Sequence, residues 1–498
     1  QSAKISKSLK ICYYLLITNY QKPIIISMTL GKKTKIVCTI GPATESKNKL
    51  RELVNAGMNV MRLNFSHGDF AEHQARVDAI REIMKEDNKR VGLLQDLCGP
   101  KIRIGTFKEK MITLREGQQF ILTSDEVEGD ETIVHVNYPQ LPNEVKAGTM
   151  IMLQDGTKKL EVIDVQGNKI ITKVIIGGRL SGHKGVNVPG ANLSVSSLTE
   201  KDKEDVMFGI KNNVDFVALS FVRKAYDITE LRGILQKHRS TAQIIAKIET
   251  PEALADIDNI IDATDGIMVA RGDLAIEVPA EEVPLIQKLL IHKCNAAGKP
   301  VITATQMLES MVKNPVPTRA EVSDIANAII DGTDAIMLSE ETTLGDYPIE
   351  AVNIMSKVAL RIEKEVYTHD TIAEYDGSHG VTDVVSQSAV RSAHNVGAKL
   401  IVALTRSGRT AKMIARYRPA ERILALSDVE THINKLALSF GCYPMSVPTF
   451  KTVPEIMDIV RKITIENKLA KTGDKVVIVA GMPFGETKET NFTVIETL

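Results

Sequence analysis

The residues best suited to chemistry in this sequence are polar side chains that end short apolar segments. In the segment MRLNFSHG, Arg62, Asn64 and Ser66 alternate with Leu63 and Phe65. Alternate residues of a β-strand point to the same face, so the three polar side chains are expected to lie together. A guanidinium beside neutral oxygens can bind a phosphate and a cation at once. This segment is therefore a candidate phosphate site.

The segment AKIE places an ammonium beside a carboxylate, because Lys247 and Glu249 are two residues apart and share one face of a strand. Alone, such a pair is more often a structural salt bridge than a catalytic pair. Asp273, which follows Arg271 and Gly272 in VARGD, offers a second carboxylate. Mg²⁺ prefers one or two carboxylates plus substrate oxygens, so Glu249 and Asp273 are candidate metal ligands. A plain helix N-cap is the alternative for Asp273.

Three further segment ends carry candidate groups. Thr305 ends ITAT, Asp96 ends GLLQD, and the backbone around Gly272 can offer N–H groups to an anion at the start of a helix. Each has a structural explanation when taken alone, since threonine favours strands and a buried aspartate stabilises turns. Their occurrence together at equivalent positions indicates one functional site.

Eight short β-branched segments, alternating with segments of helical period, position these residues. They are TKIVCTIG from residue 34, NVMRLNFS from 59, VGLLQDL from 91, FVALSFV from 216, QIIAKIE from 243, GIMVARGD from 266, PVITATQML from 300 and DAIMLSEE from 334. The alternation favours a parallel sheet, and eight strands close a (β/α)₈ TIM barrel. Reactive groups in such barrels stand at the C-terminal ends of the strands, where the candidate residues are found.

Two regions depart from the barrel pattern. Short strands with turn signals, such as LREGQQF and QDGTKKLEV, predict an inserted small β-barrel domain between the third and fourth segments. The series LIVALT, ILALS, YPMSV, KVVIVAG and FTVIETL predicts a C-terminal α/β domain of doubly wound type. The predicted boundaries are 31–99 and 199–375 for the barrel, 100–198 for the insertion and 376–498 for the C-terminal domain. Residues 1–30 are interpreted as a disordered or non-native extension, with translation starting at Met28.

Composition narrows the class of partner. Lys plus Arg and Asp plus Glu both number 62, so there is no broad charge to attract nucleic acid or an acidic membrane. We therefore expect small-molecule partners and neither nucleic acid nor membrane. Five scattered cysteines without CxxC spacing argue against a disulfide framework and favour a reducing, cytoplasmic compartment.

Motifs spread along the chain resemble those of the pyruvate kinase family. They are MRLNFSHG at 61, GPKIR at 99, GVNVPG at 185, AKIET at 246, VARGDL at 269, ITATQMLESM at 302, PTRAEVSDIANAIIDGTDAIMLS at 317 and AGMPFG at 480. The resemblance implies transfer of the phosphoryl group of phosphoenolpyruvate to ADP, giving pyruvate and ATP in the last step of glycolysis. It also implies Mg²⁺ or Mn²⁺ as cofactor and a homotetramer.

The resemblance assigns roles to individual residues. Arg62 would hold the transferred phosphoryl group, Lys247 would neutralise charge during transfer, and Thr305 would lie near the carbon that is protonated. Glu249 and Asp273 would bind the metal. Phosphoenolpyruvate would contact Arg62, Lys247, Gly272, Asp273 and Thr305. The nucleotide would contact Asn64, His67, Arg103 and Lys184.

One segment departs from the common family pattern in a way that bears on K⁺. Many relatives that need K⁺ have glutamate at the position of Lys101 and threonine at that of Leu97, whereas this chain reads QDLCGPKIR. The Asn64, Ser66 and Asp96 oxygens are then expected to face the Lys101 ammonium instead of an ion. The sequence therefore predicts activity without K⁺.

A turn in the C-terminal domain is a candidate effector site. It contains Thr405, Ser407, Gly408, Arg409 and Thr410 between a strand and a helix, where backbone N–H groups can form an anion nest. An ordinary βα turn remains the alternative. The family resemblance implies a phosphorylated allosteric effector here.

Two other functions compete with this interpretation. One is another barrel enzyme that handles phosphoenolpyruvate or pyruvate with Mg²⁺, such as an aldolase or a mutase-like protein, which would not need the inserted and C-terminal domains. The other is a catalytically inactive relative that regulates by binding metabolites. The intact set of charged residues and Thr305 argues against it.

Overall fold

The computed structural model describes residues 31–191, 193–367, 380–484 and 489–498. The interpretation of residues 1–30 as an extension lies outside the described residues. So does the predicted boundary after residue 375.

The strands and helices of these ranges follow the alternation expected from the sequence. The strands are β1 (Lys35–Thr39), β2 (Val60–Asn64), β3 (Gly92–Asp96), β4 (Met111–Leu114), β5 (Gln119–Thr123), β6 (Ile133–His135), β7 (Met150–Leu153), β8 (Lys158–Gln166), β9 (Lys169–Ile176), β10 (Gly178–Ser181), β11 (Val186–Asn187), β12 (Phe216–Leu219), β13 (Gln243–Ile248), β14 (Gly266–Ala270), β15 (Val301–Ala304), β16 (Ala335–Leu338), β17 (Leu400–Leu404), β18 (Arg422–Ser427), β19 (Cys442–Ser446), β20 (Lys475–Ala480) and β21 (Phe492–Thr497). The α-helices are Lys47–Ala56, Phe70–Glu86, Leu141–Glu144, Glu200–Lys211, Ala225–Lys237, Pro251–Ala255, Ile257–Ala263, Arg271–Glu277, Val283–Ala297, Arg319–Ile330, Glu340–Thr343, Pro348–Val366, Val381–Val396, Arg409–Ala415, Glu430–Ile433 and Val453–Glu466.

Eight parallel strands form a closed barrel, as the eight β-branched segments predicted. Its order is β1-β16-β15-β14-β13-β12-β3-β2, so each strand pairs with neighbours along the chain and β16 closes on β1. The strands are almost wholly buried because helices cover them outside and side chains fill them inside. The C-terminal ends of all eight strands therefore meet at one mouth.

The inserted domain is made of β4 to β11. Six of its strands form one sheet in the order β11-β7-β8-β9-β5-β6, and β4 pairs with β10 in a second sheet. Side chains from both sheets, including Ile112, Phe120, Leu153 and Leu180, pack into one apolar core. The insertion thus has a core of its own.

The C-terminal domain is a five-stranded sheet with the order β19-β18-β17-β20-β21. Four strands are parallel, and β21 is antiparallel to β20 at the edge. Helices Val381–Val396 and Val453–Glu466 pack on apolar residues of this sheet. The predicted α/β series is confirmed.

The C-terminal domain also completes the core of the barrel. Ala437 and Leu438 belong to the same buried cluster as Val60 and Phe216, whose side chains fill the barrel interior. They enter at the N-terminal end of the strands, since a Cβ added to Gly92, the first residue of β3, would lie 3.0 Å from the Cβ of Ala437. The bottom of the barrel is therefore closed by another domain.

Ala437 and Leu438 thus form a plug at the N-terminal end of the barrel, and truncation of this plug should destabilise the protein. Leu438→Ala is expected to lower the free energy of unfolding by about 2–5 kcal/mol, because a buried leucine loses its contacts and leaves a cavity. Urea denaturation measures the change. Leu360→Ala, on a leucine that is 49% exposed, is the control and should cost about 0.5 kcal/mol or less. Equal losses in the two variants would contradict the plug.

Among the residues that the structure describes, no helix is both long and apolar enough to span a membrane.

Candidate active site

Two cations converge on one buried carboxylate at the barrel mouth. Arg62 Nε lies 2.7 Å from Asp96 Oδ2, and Lys247 Nζ lies 3.5 Å from Asp96 Oδ1. Arg62 also donates a hydrogen bond of 2.8 Å to Thr39 Oγ1. All four residues are buried, and each lies within the last three residues of a different barrel strand. Three candidate residues, Arg62, Asp96 and Lys247, thus meet at one place.

Glu249 adds a second carboxylate to this network. Its Oε1 lies 3.0 Å from Lys247 Nζ, and its Oε2 accepts a hydrogen bond of 2.7 Å from the backbone N–H of Phe221. Lys247 Nζ donates its short hydrogen bond of 2.6 Å to Ser220 Oγ instead. Among the described residues, Glu249 Oε1 therefore accepts no hydrogen bond of good geometry. This oxygen retains capacity for a further ligand.

The charges in the network act on one another because water is excluded. Burial raises the pKa of Glu249 to about 6, and the nearby Asp273 adds to the rise. Burial opposes the charged form of Lys247, but Asp96, Glu249 and Asp273 outweigh it and raise the pKa of this lysine. Lys247 and Arg62 likewise outweigh burial and lower the pKa of Asp96. The ammonium and the Asp96 carboxylate are thus charged near neutral pH.

Asp273 is not the cap of its helix. The helix Arg271–Glu277 begins one residue after Ala270, which occupies the N-cap position, and Asp273 lies within the first turn. The N-cap alternative for Asp273 is therefore wrong. Its carboxylate does not cap the helix, and its negative charge raises the pKa of both Lys247 and Glu249.

Thr305 and Gly272 contact each other across neighbouring strand ends. The backbone N–H of Gly272 donates a hydrogen bond of 2.8 Å to Thr305 Oγ1, which itself donates to the carbonyl of Ala304 at 2.7 Å. The Gly272 amide thus points at a side chain, and the exact position of Thr305 controls this contact.

A cavity of about 480 Å³ lies between the inserted domain and the barrel. Its lining includes His67, Lys101, Arg103 and Lys184, together with Asp273. Burial lowers the pKa of His67, and the nearby Lys101, Arg103 and Arg62 lower it further. The cavity is therefore cationic on one side and reaches a candidate metal ligand on the other.

The candidates for the monovalent-cation position are arranged differently from expectation. Asp96 faces Arg62 and Lys247, whereas Lys101 is exposed and lines the cavity beside His67. Asn64 Oδ1 accepts a hydrogen bond of 3.2 Å from the backbone of Ser66. The backbone carbonyl of Leu97 accepts one of 2.7 Å from Ser220 Oγ.

The predicted effector turn lines a separate cavity of about 410 Å³ in the C-terminal domain. Thr405, Ser407, Arg409 and Thr410 lie on its wall. Gly408 has a φ of 88°, a backbone conformation that residues with a side chain rarely adopt. Its N–H donates a hydrogen bond of 3.0 Å to Thr405 Oγ1.

The described residues contain no group of three or more His, Cys, Asp or Glu side chains arranged to hold a metal ion. Glu249 and Asp273 nevertheless fit a metal that takes two protein carboxylates and completes its shell with substrate oxygens. Glu249 Oε1 accepts no hydrogen bond among the described residues, and burial, with repulsion from Asp273 adding to it, raises the pKa of Glu249; a cation between the two carboxylates would relieve both.

Sequence reasoning missed two supporting residues, Ser220 and Thr39. Ser220 directly follows β12 and Thr39 ends β1. The rule that found the other candidates, a polar residue at a strand end, applies to both. Neither stands out by type, because serine and threonine are common in such positions.

Fold and site together define a (β/α)₈-barrel enzyme with two cations and paired carboxylates at the strand ends. A model of the pyruvate kinase barrel domain matches residues 31–352, and one of the pyruvate kinase alpha/beta domain matches residues 383–496. The chain belongs to the pyruvate kinase family, the phosphotransferases that convert phosphoenolpyruvate and ADP to pyruvate and ATP in the last step of glycolysis. The family depends on a divalent metal.

Similar proteins support this membership over most of the chain. The pyruvate kinase of Geobacillus stearothermophilus is 49% identical over 474 residues, which are 94% of this chain and 81% of that protein. That of Clostridium perfringens is 43% identical over 473 residues, 94% of this chain and 100% of that protein. A crystal structure of a pyruvate kinase from Cryptosporidium parvum superimposes with a TM-score of 0.89 at 35% identity, covering 97% of this chain and 98% of that one. An aldolase or mutase-like barrel is thereby excluded.

Proposed function

We propose that phosphoryl transfer takes place at the network of Arg62, Lys247, Glu249 and Asp273. Arg62 holds the phosphoryl group, and Lys247 neutralises the charge that develops on it and on the enolate oxygen. The single observation that supports this most strongly is that Lys247 Nζ lies between two buried carboxylates, at 3.0 Å and 3.5 Å. A cation fixed in this way needs no reorganisation when charge develops in the transition state.

Glu249 and Asp273 would hold Mg²⁺ or Mn²⁺. When bound, the metal supplies positive charge to the oxygens of the transferred group. The protein orients the rest of the substrate: Gly272 donates its backbone N–H to Thr305 Oγ1, and Thr305 lies at the adjacent strand end near the carbon to be protonated. Protonation itself would pass through water.

ADP and ATP would bind in the cavity between the inserted domain and the barrel. We assign Asn64, His67, Arg103 and Lys184 to the nucleotide. The lowered pKa of His67 keeps its ring neutral near pH 7, so the positive charge that meets the phosphates comes from Arg103 and Lys184. The inserted domain then acts as a lid.

A coupled assay of pyruvate formation tests the function. With phosphoenolpyruvate, ADP and Mg²⁺ present, pyruvate should form, and omission of ADP should stop it. No pyruvate in the full mixture would favour a catalytically inactive regulator that binds metabolites. Pyruvate formation independent of ADP would contradict a kinase.

The raised pKa of Glu249 predicts a pH dependence of metal binding. Because the carboxyl holds its proton up to about pH 6, the metal must displace that proton at lower pH, and affinity falls as pH falls below about 6. Mn²⁺ titrations followed by electron paramagnetic resonance between pH 5 and pH 8 measure this, with about tenfold weaker binding per unit at the acid end. Glu249→Gln should remove the acid limb. A constant affinity over this range would contradict Glu249 as ligand.

We expect full activity without K⁺. Lys101 places an ammonium on the wall of the nucleotide cavity, at the position where relatives that need K⁺ carry glutamate. Turnover in Na⁺ and K⁺ buffers should agree within about twofold, since no charge needs to be supplied from solution. Lys101→Glu is the informative variant, and it should become K⁺-activated. Many-fold activation of the unaltered chain by K⁺ would refute the idea.

A phosphorylated effector is proposed for the turn with Thr405, Ser407, Gly408, Arg409 and Thr410. The support is the cavity of about 410 Å³ that most of these residues line, with hydroxyl and guanidinium donors. Sugar phosphates and nucleotides should shift the dependence of rate on phosphoenolpyruvate. Ser407→Ala should weaken that shift and leave the rate without effector unchanged. A turn with no ligand would give no shift with any of these compounds.

A homotetramer in the cytoplasm is proposed from the family resemblance. The described cysteines Cys38, Cys98, Cys294 and Cys442 are free thiols, which fits a reducing compartment. Light scattering tests the oligomeric state, and fractionation of cells tests the compartment.

A further inference from the structure

Two consecutive residues after β15 adopt a left-handed backbone. Thr305 has φ of 67° and Gln306 has φ of 54°. A β-branched residue such as threonine rarely adopts this conformation, because its Cβ substituents collide with the backbone. Such a conformation persists only where surrounding contacts enforce it, and it occurs most often at functional sites.

Arg271 supplies these contacts. Its Nη2 donates a hydrogen bond of 2.7 Å to the carbonyl of Thr305, and its Nε donates one of 3.2 Å to the carbonyl of Ala304. One planar guanidinium thus binds two successive carbonyls of the strained turn. A lysine ammonium lacks the fixed fork of donors that this requires.

The guanidinium is itself held in place from the other side. Its Nη1 lies 2.7 Å from Asp324 Oδ1 and 3.2 Å from Gln287 Oε1. Asp324 belongs to the helix Arg319–Ile330 and Gln287 to the helix Val283–Ala297. Two outer helices of the barrel therefore fix a side chain whose exposed fraction is only 12%.

The same turn sets the position of the Thr305 hydroxyl. Thr305 Oγ1 contacts both the Gly272 amide and the Ala304 carbonyl, and Gly272 follows Arg271 directly. Arg271 thus connects the two strand ends twice, through its side chain to β15 and through its own backbone to Gly272 and Asp273.

We propose that Arg271 is a positioning residue for the protonation step: it binds the carbonyls of Ala304 and Thr305 and so holds the Thr305 hydroxyl at the site of proton transfer. In that step an O–H bond of the water molecule beside Thr305 breaks, its proton forms a C–H bond with the electron pair of the enolate, and the hydroxide that remains regains a proton from solvent. The C–O bond of the enolate becomes the carbonyl of pyruvate. The inference rests on the proposed role of Thr305.

The test separates protonation from phosphoryl transfer. Arg271→Lys and Arg271→Met are assayed for turnover, for KM of phosphoenolpyruvate, and for exchange of the methyl hydrogens of pyruvate with deuterium from D₂O. We expect about a 10²-fold loss of exchange and of kcat, because a displacement of about 1 Å has this effect on a positioned group. KM should change by no more than about threefold, since uniform binding is retained.

A double-mutant cycle with Thr305→Ala identifies the route of the effect. If Arg271 acts through Thr305, the double variant should be no slower in exchange than the slower single variant. Losses that multiply in the double variant would overturn the inference while leaving the role of Thr305 intact. An unchanged exchange rate in Thr305→Ala would overturn both.

Two further variants guard against a general loss of structure. Asp324→Asn keeps both hydrogen bonds of Arg271 to backbone carbonyls but removes its ion pair. It should lower the exchange rate, but by less than Arg271→Lys or Arg271→Met does. Arg232→Lys is the control, because Arg232 also binds one carbonyl (Ala263, 2.7 Å) and one carboxylate (Asp265, 3.0 Å). It should leave exchange unchanged, and an equal loss in Arg232→Lys would overturn the inference.

Discussion

Replacement of Lys247 by methionine is expected to lower kcat by roughly 10²–10³-fold, the usual loss when one preorganised electrostatic contact is removed from a buried site. Methionine preserves much of the length and packing of the side chain but not its charge. In this variant no cation would lie between the Asp96 and Glu249 carboxylates. The negative charge that develops on the phosphoryl group and on the enolate oxygen would then not be neutralised. Phosphoenolpyruvate should still bind, since Arg62 remains. Steady-state kinetics with the coupled assay give kcat and the KM for phosphoenolpyruvate.

The control for this variant is Lys299→Met. Lys299 is also partly buried, and its Nζ donates to the backbone carbonyls of Asp262 and Thr264 at 2.9 Å and 2.8 Å. These contacts lie before β14, at the opposite end of the barrel. Lys299→Met should lower stability and leave kcat within about twofold, as expected of a site far from the chemistry. Comparable kcat in Lys247→Met and the unaltered enzyme would refute the assignment.

Replacement of Asp273 by asparagine should raise the concentration of divalent metal needed for half-maximal activity, and it should lower kcat. The amide is neutral and loses the charge that a hard cation needs, so the apparent affinity for Mn²⁺ should fall by about 10–100-fold and kcat by about 10²-fold at fixed metal. High Mn²⁺ should restore part of the activity. The rate is measured as a function of Mn²⁺ concentration.

Asp258→Asn provides the comparison for Asp273→Asn. Asp258 is an exposed residue of the helix Ile257–Ala263, and its ion pair with Lys293 is 2.6 Å. This change should leave the Mn²⁺ dependence unaltered, because an exposed pair contributes little. An unaltered Mn²⁺ dependence in Asp273→Asn as well would mean that Asp273 is not a metal ligand.

The strands and the side chains at their ends could be predicted from the sequence alone. The eight β-branched segments correspond to the eight barrel strands, and five similar segments correspond to the C-terminal sheet. A spacing of two residues was enough to place Lys247 and Glu249 on one face, and the alternation of the strand put Arg62 and Leu63 on opposite faces. These are local properties, because the direction of a side chain along a strand follows from the backbone of that strand alone.

Which of these groups meet depends on how the strands and domains pack together. Lys247 donates a hydrogen bond to Ser220 because β12 and β13 pair Leu219 with Ala246, which places the residues that follow them, Ser220 and Lys247, side by side. Asp96 turned out to face Arg62 and Lys247, not Lys101, because the chain leaves the barrel for the inserted domain just after β3. The hydrogen bond from Arg271 to the Thr305 carbonyl and the plug at Leu438 likewise join residues distant in sequence. Such contacts depend on the closure of the barrel and on the packing of one domain against another. Local sequence patterns do not indicate which residues these two processes bring together.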